Sequence, residues 1–197
     1  MRADVAAYVA SCPTCQRVKD STQKQQGPLQ LLVSPTERFS SYTMDFIFGL
    51  PRAKGNDGVW CDRVMTVVDR ATKRKTLVAV HEGIMAVEAA DLFLLWVVRP
   101  FGVPQEIISD RDPRFMSRFW QQVFARLGTH LLHSTAHHPQ MDGESERAHR
   151  VIEQVLRSYV LGCPQDKWVD LLLFCEMSLN GLLQSSTQQM PDALTYG

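Results

Sequence analysis

The chain has 197 residues, 45% of them apolar, and its 21 basic and 21 acidic residues give a formal net charge of zero. This length and apolar content fit one catalytic-sized domain with a small appendage and exclude a globally disordered chain. The neutral balance excludes a uniformly basic protein, so binding to nucleic acid would depend on locally placed basic residues.

Targeting and redox signals are weak. The longest apolar run, residues 92–98, is too short to span a bilayer, and the first residues lead into no secretory apolar core. Five cysteines are an odd number without secretory context, which favours reduced thiols. We therefore predict an intracellular protein without a membrane partner.

The first part of the chain predicts a short helix over residues 2–10, followed by the close pair Cys12 and Cys15. Such a pair is half of a tetrahedral zinc site and needs two more ligands, but the first histidine in the chain is His81. Unpaired structural cysteines and a redox motif are the alternatives. Residues 16–38, rich in Lys, Gln, Ser and Pro, predict a linker.

Three strands are predicted next, over residues 43–50, 64–69 and 76–80, arranged as a meander. Alternation in the first strand places Asp45 among apolar neighbours, where desolvation disfavours a carboxylate. Asp45 is therefore either satisfied by backbone donors or a site residue. The basic connector between the second and third strands includes Lys73 and Arg74, which could contact phosphates or form a solvated turn.

The middle of the chain alternates helices and strands. Residues 86–98 predict a helix that is closed by Pro100 with Gly102 and Pro104, and residues 106–109 a buried strand that ends at Asp110. A helix stopped by Gly128 and a strand over residues 130–133 follow. The aromatic and aliphatic stripe of that helix is expected in the core: Phe115, Phe119, Trp120, Val123, Phe124 and Leu127. The order of elements predicts an α/β domain.

The last part predicts a loop over residues 136–141, a helix from about Asp142, and a second apolar helix over residues 168–179 with Cys175 in the core. Four charged residues share the face of the first helix opposite its apolar stripe: Glu146, Arg150, Glu153 and Arg157. This face is either a solvated surface with two Glu–Arg pairs or, given the Pro- and Gly-containing loop before it, one that closes on a substrate.

Three acids are candidates for joint chemistry. Asp45 lies in a strand, Asp110 ends a strand, and Glu146 begins a helix after 35 intervening residues. Phosphodiester chemistry by two metal ions needs hard oxygen ligands around cations about 3.5–4 Å apart. By themselves, three acids among 21 acidic residues are a weak signal.

Four sequence blocks make the signal specific: residues 43–47 (TMDFI), 67–70 (VVDR), 109–115 (SDRDPRF) and 138–147 (HPQMDGESER). In order and spacing they resemble integrases of gypsy-type LTR retrotransposons, which are relatives of retroviral integrase, and the likeness extends to Gly197. The resemblance implies an α/β, RNase H-like core with a mixed five-stranded sheet flanked by helices.

The resemblance also implies the activity and its site. Family members trim the 3′ ends of element cDNA and join them to target DNA, so the chain is expected to be a polynucleotidyl transferase. Asp45, Asp110 and Glu146 would hold two Mg²⁺ or Mn²⁺ ions. Asp112 is expected to organise its turn, and Asp142 to cap the helix that carries Glu146.

The ends of the chain differ from complete family members. Cys12 and Cys15 match the cysteine half of the family's His-His-Cys-Cys module, so zinc is expected only with histidines upstream of Met1. We divide the chain into a remnant of this module (residues 1–20), a linker (21–37) and the catalytic core (38–197). Because the core of relatives ends near Gly197, the resemblance leads us to expect no C-terminal DNA-binding or chromatin-targeting module in this chain. A fragment, a degenerate element or a host-captured copy is therefore expected.

Smaller departures from the family pattern lie beside the triad. Glu144 stands where glutamine is usual, and His149 where asparagine is usual; His137 replaces a usual tyrosine. Arg147 and Arg150 are candidate phosphate contacts, with pairing to neighbouring acids as the alternative. The expected partners are element and target DNA and a second copy of the chain, as a homodimer or higher oligomer. The expected location is the nucleus, otherwise the cytoplasm.

Three alternatives to an integrase follow from the same residues. A metal-dependent nuclease of the same fold would cleave DNA without strand transfer. A host-captured DNA-binding or interaction protein would keep the fold without catalysis. The intact triad argues against this alternative, whereas Glu144 and the expected lack of flanking modules argue for it. A transposase fits the sequence blocks less well.

Overall fold

The computed structural model of the chain describes residues 2–18, 35–55, 58–133, 139–162 and 164–197, with the backbone alone at residues 2, 16–18, 139–148, 162 and 165. No helix in these ranges is both long and apolar enough to cross a membrane. The elements are α1 (Arg2–Ser11), α2 (Pro13–Val18), β1 (Ser41–Ile47), β2 (Ala53–Lys54), β3 (Trp60–Cys61), β4 (Arg63–Asp69), β5 (Lys75–Val80), α3 (Ala86–Phe93), α4 (Arg99–Phe101), β6 (Glu106–Ser109), α5 (Arg118–Leu127), β7 (His130–His133), α6 (Pro139–Gly162), α7 (Trp168–Asn180) and α8 (Pro191–Tyr196).

One mixed sheet organises the chain, with strand order β5-β4-β1-β6-β7. The meander β1-β4-β5 is antiparallel. On the other side of β1, β6 pairs with it in parallel, and β7 pairs in parallel with β6. The predicted α/β class and the five predicted strands are confirmed. The segment between β1 and β4 contains a further two-stranded ribbon, β2-β3, which is too short to leave a periodic pattern in the sequence.

Both faces of the sheet are covered, and β1 supplies side chains to each. Tyr42, Met44 and Phe46 pack with α3 and α5, while Ile47 belongs to the core under α6 and α7. This is the predicted alternation of a strand, in which successive side chains point to opposite faces. Asp45 therefore lies on the α6 side of the central strand.

The helix predicted after Pro113 begins later than expected, at Arg118. Ser117 caps it by accepting a hydrogen bond from the Trp120 amide at 3.2 Å, and Gly128 ends it in a left-handed conformation, as predicted. Trp120 and Phe124 are buried, and so is Phe115 in the preceding turn. The expectation that the whole stripe is core was wrong for Phe119 and Leu127, which are exposed because they lie at the edges of the apolar face.

The predicted helix over residues 86–98 continues through a π-helical turn, Leu94–Val98, into α4. Pro100 has no backbone N–H to donate and so interrupts the regular α-helical hydrogen-bonding pattern near this turn. The chain leaves the helix at Gly102, with φ of 89°. Gly102 thus ends the helix, in agreement with the prediction.

The edge strand β5 is covered by α7, which packs against α6 as predicted. Asn180, at the end of α7, accepts a hydrogen bond from the Lys75 amide at 2.9 Å and donates one to the Lys75 carbonyl at 2.8 Å. One turn earlier, Glu176 accepts from the Leu77 amide at 2.9 Å. Side chains of α7 therefore satisfy backbone groups that an edge strand would otherwise expose.

Candidate functional site

The sheet brings Asp45 and Asp110 to neighbouring positions. β1 and β6 are parallel, and their last registered pair is Met44 with Ser109. The next residue of each strand is an aspartate, so two carboxylates emerge side by side at one place in the sheet. This part of the sequence prediction depended on β1 and β6 being adjacent, which only the fold could establish.

Asp45 is held by several contacts. Its Oδ1 accepts a hydrogen bond from the Phe46 amide at 2.7 Å, and its Oδ2 lies 3.0 Å from Nδ1 of His149 on α6. The carboxylate is partly exposed, whereas the His149 side chain is mostly buried. Asp45 is thus both satisfied by the protein, as one alternative held, and accessible enough to bind a ligand.

His149 bridges α6 to two strands. Its Nε2 lies 3.1 Å from the Thr66 hydroxyl, and that hydroxyl donates to the Asp45 carbonyl at 3.1 Å. An ionised carboxylate only accepts hydrogen bonds, so we assign a proton to Nδ1, which faces Asp45. The sequence marked His149 only as a departure from the family pattern; nothing local predicted that it would contact Asp45.

The environment of Asp110 disfavours its negative charge. Partial removal from water raises the pKa of the carboxyl, and the negative charges of Asp45 and Asp112 raise it further. A hydrogen bond from the Asp112 amide to Asp110 Oδ1, at 3.1 Å, acts in the opposite direction. Two carboxylates that repel each other in this way form a donor set that a divalent cation would stabilise.

Glu146 is placed by its backbone alone. It lies in α6 three residues before His149, about one turn, and therefore on a similar side of the helix. Its side chain lies outside the described residues, as do those of Asp142, Glu144 and Arg147, while residues 137 and 138 are outside the description altogether. The predicted third ligand stays a prediction. Among the described side chains, no group of three potential metal ligands occurs. Asp45 and Asp110 are the members of the predicted triad whose side chains are described.

The turn of the β4–β5 hairpin is not the solvated turn that one alternative expected. Lys73 is buried and donates its Nζ to the Arg70 carbonyl. Arg74 pairs with Asp192, and its guanidinium lies over the rings of Phe101 and Tyr196 at 5.5 and 5.2 Å. The solvated turn was a wrong expectation, because Arg74 contacts α4 and α8 and Lys73 bonds within the hairpin.

These hairpin contacts bear on DNA binding. The hairpin lies where β1 begins, because Tyr42 is paired with Asp69, and thus away from Asp45. Lys73 and Arg74 would have to give up internal contacts to reach a phosphate. Arg150, in contrast, is exposed on α6 next to His149.

Asp69 and Asp112 have structural roles. Asp69 is buried and accepts hydrogen bonds from the Phe39 and Thr72 amides. Asp112 accepts from the Arg114 amide at 2.9 Å, so it organises its turn as predicted.

Cys12 and Cys15 lie within reach of each other near α2. Hydrogen bonds from the backbone and side chain of Cys15 lower the pKa of Cys12, whereas the hydrogen bond to Cys12 raises that of Cys15. Both are free thiols. Their proximity fits half of a zinc site, and the part of the chain that the structure describes adds no histidine to it.

A groove of about 270 Å³ lies beyond the end of β1 and is not lined by Asp45 or Asp110. It lies between the segment 47–51, directly after β1, and the later turns of α6. Its floor is apolar, including Ile47, Leu156 and Val160, and Glu153 and Arg157 at its rim are paired at 3.2 Å. One of the two predicted Glu–Arg pairs on α6 is thereby confirmed.

The chain was compared with known proteins both by sequence and by fold. The chain is 35% identical over all 197 residues to the Transposon Tf2-3 and Tf2-4 polyproteins of Schizosaccharomyces pombe (strain 972 / ATCC 24843). It spans 14% of the length of these relatives. No family model matches the chain.

Three solved structures share the fold. A simian T-cell lymphotropic virus intasome in complex with PP2A regulatory subunit B56 gamma aligns with a TM-score of 0.63 and 17% identity, covering 100% of this chain and 67% of that one. The catalytic core domain of BIV integrase aligns at 0.59 and 18%, covering 79% and 93%. The HTLV-2 integrase catalytic core domain in complex with magnesium, in a trimeric form, aligns at 0.55 and 19%, covering 82% and 97%.

Proposed function

From its homology over the whole chain to a segment of the Tf2 transposon polyproteins of gypsy-type LTR retrotransposons, and from its RNase H-like, integrase-core fold, we propose that this protein is an integrase catalytic core. Its reaction would be metal-dependent polynucleotidyl transfer: 3′-end processing of element DNA and strand transfer into target DNA. The observation that carries the proposal is the adjacent placement of Asp45 and Asp110, at the end of the register between β1 and β6.

The residues would divide the work by position. Asp45 and Asp110, fixed by adjoining strands, and Glu146, carried by α6, would hold two Mg²⁺ or Mn²⁺ ions. When bound, such ions activate the attacking oxygen and stabilise the leaving oxygen of an in-line displacement at phosphorus. His149 orients the Asp45 carboxylate through the 3.0 Å contact to Oδ2. The protein's main contributions are positioning and charge stabilisation.

Further features of the proposal concern partners and location. Arg147 and Arg150 would contact DNA phosphates beside the acids, with Lys73 and Arg74 as more distant candidates that are engaged inside the fold. The chain would act as a homodimer or higher oligomer in the nucleus. Cys12 and Cys15 would bind zinc only together with two further ligands.

The test is disintegration of a branched DNA, a reaction that family cores can perform without flanking modules. We expect the wild-type chain to act on this substrate with Mn²⁺, with at most weak strand transfer, and Asp110→Asn to lose activity while remaining folded by circular dichroism. Equal inactivity of the two folded proteins would reject the catalytic function. Cleavage without strand joining would instead favour the nuclease.

One observation favours a non-catalytic alternative, an integrase-derived DNA-binding protein. Both carboxylate oxygens of Asp45 already have protein partners, Phe46 and His149, so a metal ion would have to share an oxygen with one of them. Titration with Mn²⁺ separates the two: a catalytic core binds the ion through its acids, and the Asp110→Asn variant binds it more weakly. DNA binding without any ion binding would support the alternative.

A further inference from the structure

The loop that follows β6 carries two arginines in different surroundings. Arg114 is mostly buried and donates two parallel hydrogen bonds to Asp112: Nε to Oδ1 at 2.7 Å and a terminal nitrogen to Oδ2 at 2.5 Å. The Asp112 carboxylate is also buried. A bidentate pair in such a position has a fixed geometry, because both planar groups are held at two points.

The Asp112–Arg114 pair is connected to both aspartates of the site. The Arg114 guanidinium lies over the Phe46 ring at 3.9 Å, and Phe46 follows Asp45 in β1. On its other side, the Asp112 amide donates to Asp110 Oδ1 at 3.1 Å. A continuous series of contacts therefore links the strand that carries Asp45 to the carboxylate of Asp110.

Phe46 gives this series a rigid base. Its ring is buried and stacks on Phe115 at 5.1 Å, and Phe115 in turn packs on Trp120 at 5.2 Å. The aromatic core beneath the sheet thus fixes the surface on which Arg114 rests. A cation over an aromatic face is attracted to it, and a planar guanidinium can stack on that face as lysine cannot.

Arg111, between Asp110 and Asp112, is different. It is exposed, and among the residues whose side chains the structure describes it has no hydrogen-bond or ion-pair partner. Arg111 directly follows Asp110 in the chain, and its guanidinium could offer two parallel hydrogen bonds to a phosphate without giving up a contact to any described side chain.

We infer that the two arginines have separate roles: Arg114 is a positioning residue, which with Asp112 and Phe46 fixes Asp110 relative to Asp45, and Arg111 is a binding residue for a phosphate of DNA. The inference rests on the proposed function, since it concerns the metal and the DNA of that same site. It predicts that changes at the two arginines affect different measurements.

The experiment compares Arg114→Ala and Arg111→Ala with Arg126→Ala, an exposed arginine on α5 that serves as the control. Mn²⁺ affinity is measured by calorimetry, and affinity for a labelled duplex by fluorescence anisotropy over a range of salt concentrations without divalent ions. We expect Arg114→Ala to weaken Mn²⁺ binding about 10- to 100-fold, as loss of a residue that orients a ligand does. Arg111→Ala should leave Mn²⁺ binding unchanged and reduce the salt slope of DNA binding by about one.

A second set of measurements is independent of metal and keeps the positioning role testable if Arg114→Ala is poorly folded. Asp112→Asn keeps the backbone amide and the shape of the side chain but removes the charge that Arg114 grips. In metal-free protein, hydrogen exchange over residues 109–115 should be faster in Asp112→Asn and Arg114→Lys than in wild type, and unchanged in Arg111→Ala.

The outcomes are distinguishable. Wild-type Mn²⁺ affinity or wild-type exchange in the Arg114 and Asp112 variants would overturn the positioning role, and a wild-type salt slope in Arg111→Ala would overturn the phosphate contact. If wild type binds Mn²⁺ and Asp110→Asn does not, the proposed function stands even when the positioning role or the phosphate contact has been overturned. If wild type binds no Mn²⁺, the proposed function fails, and the exchange measurements still decide whether Arg114 fixes the loop.

Discussion

Asp110 and Asp112 are two residues apart, yet their environments shift their pKa values in opposite directions. Burial alone would raise the pKa of Asp112, but the hydrogen bonds from Arg114 outweigh it and lower that pKa. Desolvation and the neighbouring carboxylates raise the pKa of Asp110. One loop thus holds an acid with strong hydrogen-bond partners beside an acid whose negative charge is only partly compensated, an arrangement found at functional sites.

A stability prediction follows from the raised pKa of Asp110. In metal-free protein at neutral pH the ionised carboxyl destabilises the native state, so we expect Asp110→Asn to have a higher Tm than wild type. The gain is full above the folded-state pKa and is lost as pH falls to the unfolded value of about 3.9, where wild type is also protonated. Thermal unfolding between pH 4 and 8 measures this. An equal or lower Tm at pH 7 would contradict it, and Asp62→Asn, whose carboxylate lies elsewhere on the sheet, is the control.

At the scale of elements, β5 shows how helix and sheet depend on each other. The strand is registered with β4 on one side and meets α7 on the other, where Asn180 and Glu176 take the place of a further strand. Burial raises the pKa of Glu176, while its hydrogen bond with the Leu77 amide lowers it in part. These contacts explain why an edge strand of this sheet is not open to pairing with another chain.

We predict that Asn180→Ala destabilises the protein by about 2–4 kcal/mol, because the Lys75 amide and carbonyl lose their partners in a buried position. Urea unfolding followed by circular dichroism measures the change. Ser186→Ala, at an exposed position in the following turn, should change the free energy of unfolding by less than about 0.5 kcal/mol. A similar effect of both substitutions would show that the Asn180 contacts are not needed.

At the scale of the whole molecule, most large apolar side chains are divided between the two cores, but α7 keeps an exposed group. The group consists of the adjacent Leu173 and Phe174 and of Met177, about one helical turn later. Each of the three is more than half exposed. Neighbouring apolar side chains on one helix face are typical of a protein–protein contact. This surface is where we expect the proposed second copy of the chain to bind.

Phe174→Glu should therefore weaken self-association at least about tenfold, because a charge would be buried in the contact; tenfold corresponds to about 1.4 kcal/mol. Sedimentation over a range of protein concentrations measures the monomer–dimer equilibrium. The matched control is Trp60→Glu, which changes an equally exposed aromatic residue on β3. A wild-type protein that stays monomeric, or a variant that dimerises normally, would exclude α7 as the contact.

Local patterns in the sequence were sufficient to predict the five strands of the sheet, the longer helices and two of the proposed ligands. Alternation predicted β1, the 3.6-residue period predicted α6 and α7, and Gly128 marked the end of α5. The expected start of α6 near a capping Asp142 was wrong, because the helix begins at Pro139. The acids could be proposed because Asp45 interrupts an apolar strand and Asp110 ends one. The short ribbon β2-β3 and the exposure of Phe119 were missed, since neither leaves a local signature that differs from a turn or a core position.

By itself, the sequence determined the main strands and helices and, through its family-like blocks, which acids to consider, because both depend on neighbours along the chain. Only the tertiary structure decided what those acids contact. His149 reaches Thr66 from 83 positions away, and Arg74 reaches Asp192 from 118. Such contacts depend on how the sheet is ordered and where α6 and α8 pack. The same dependence separates Arg111 from Arg114. In sequence they are two arginines of one loop, whereas in the fold Arg114 lies over Phe46 and Arg111 has no partner among the side chains that the structure describes.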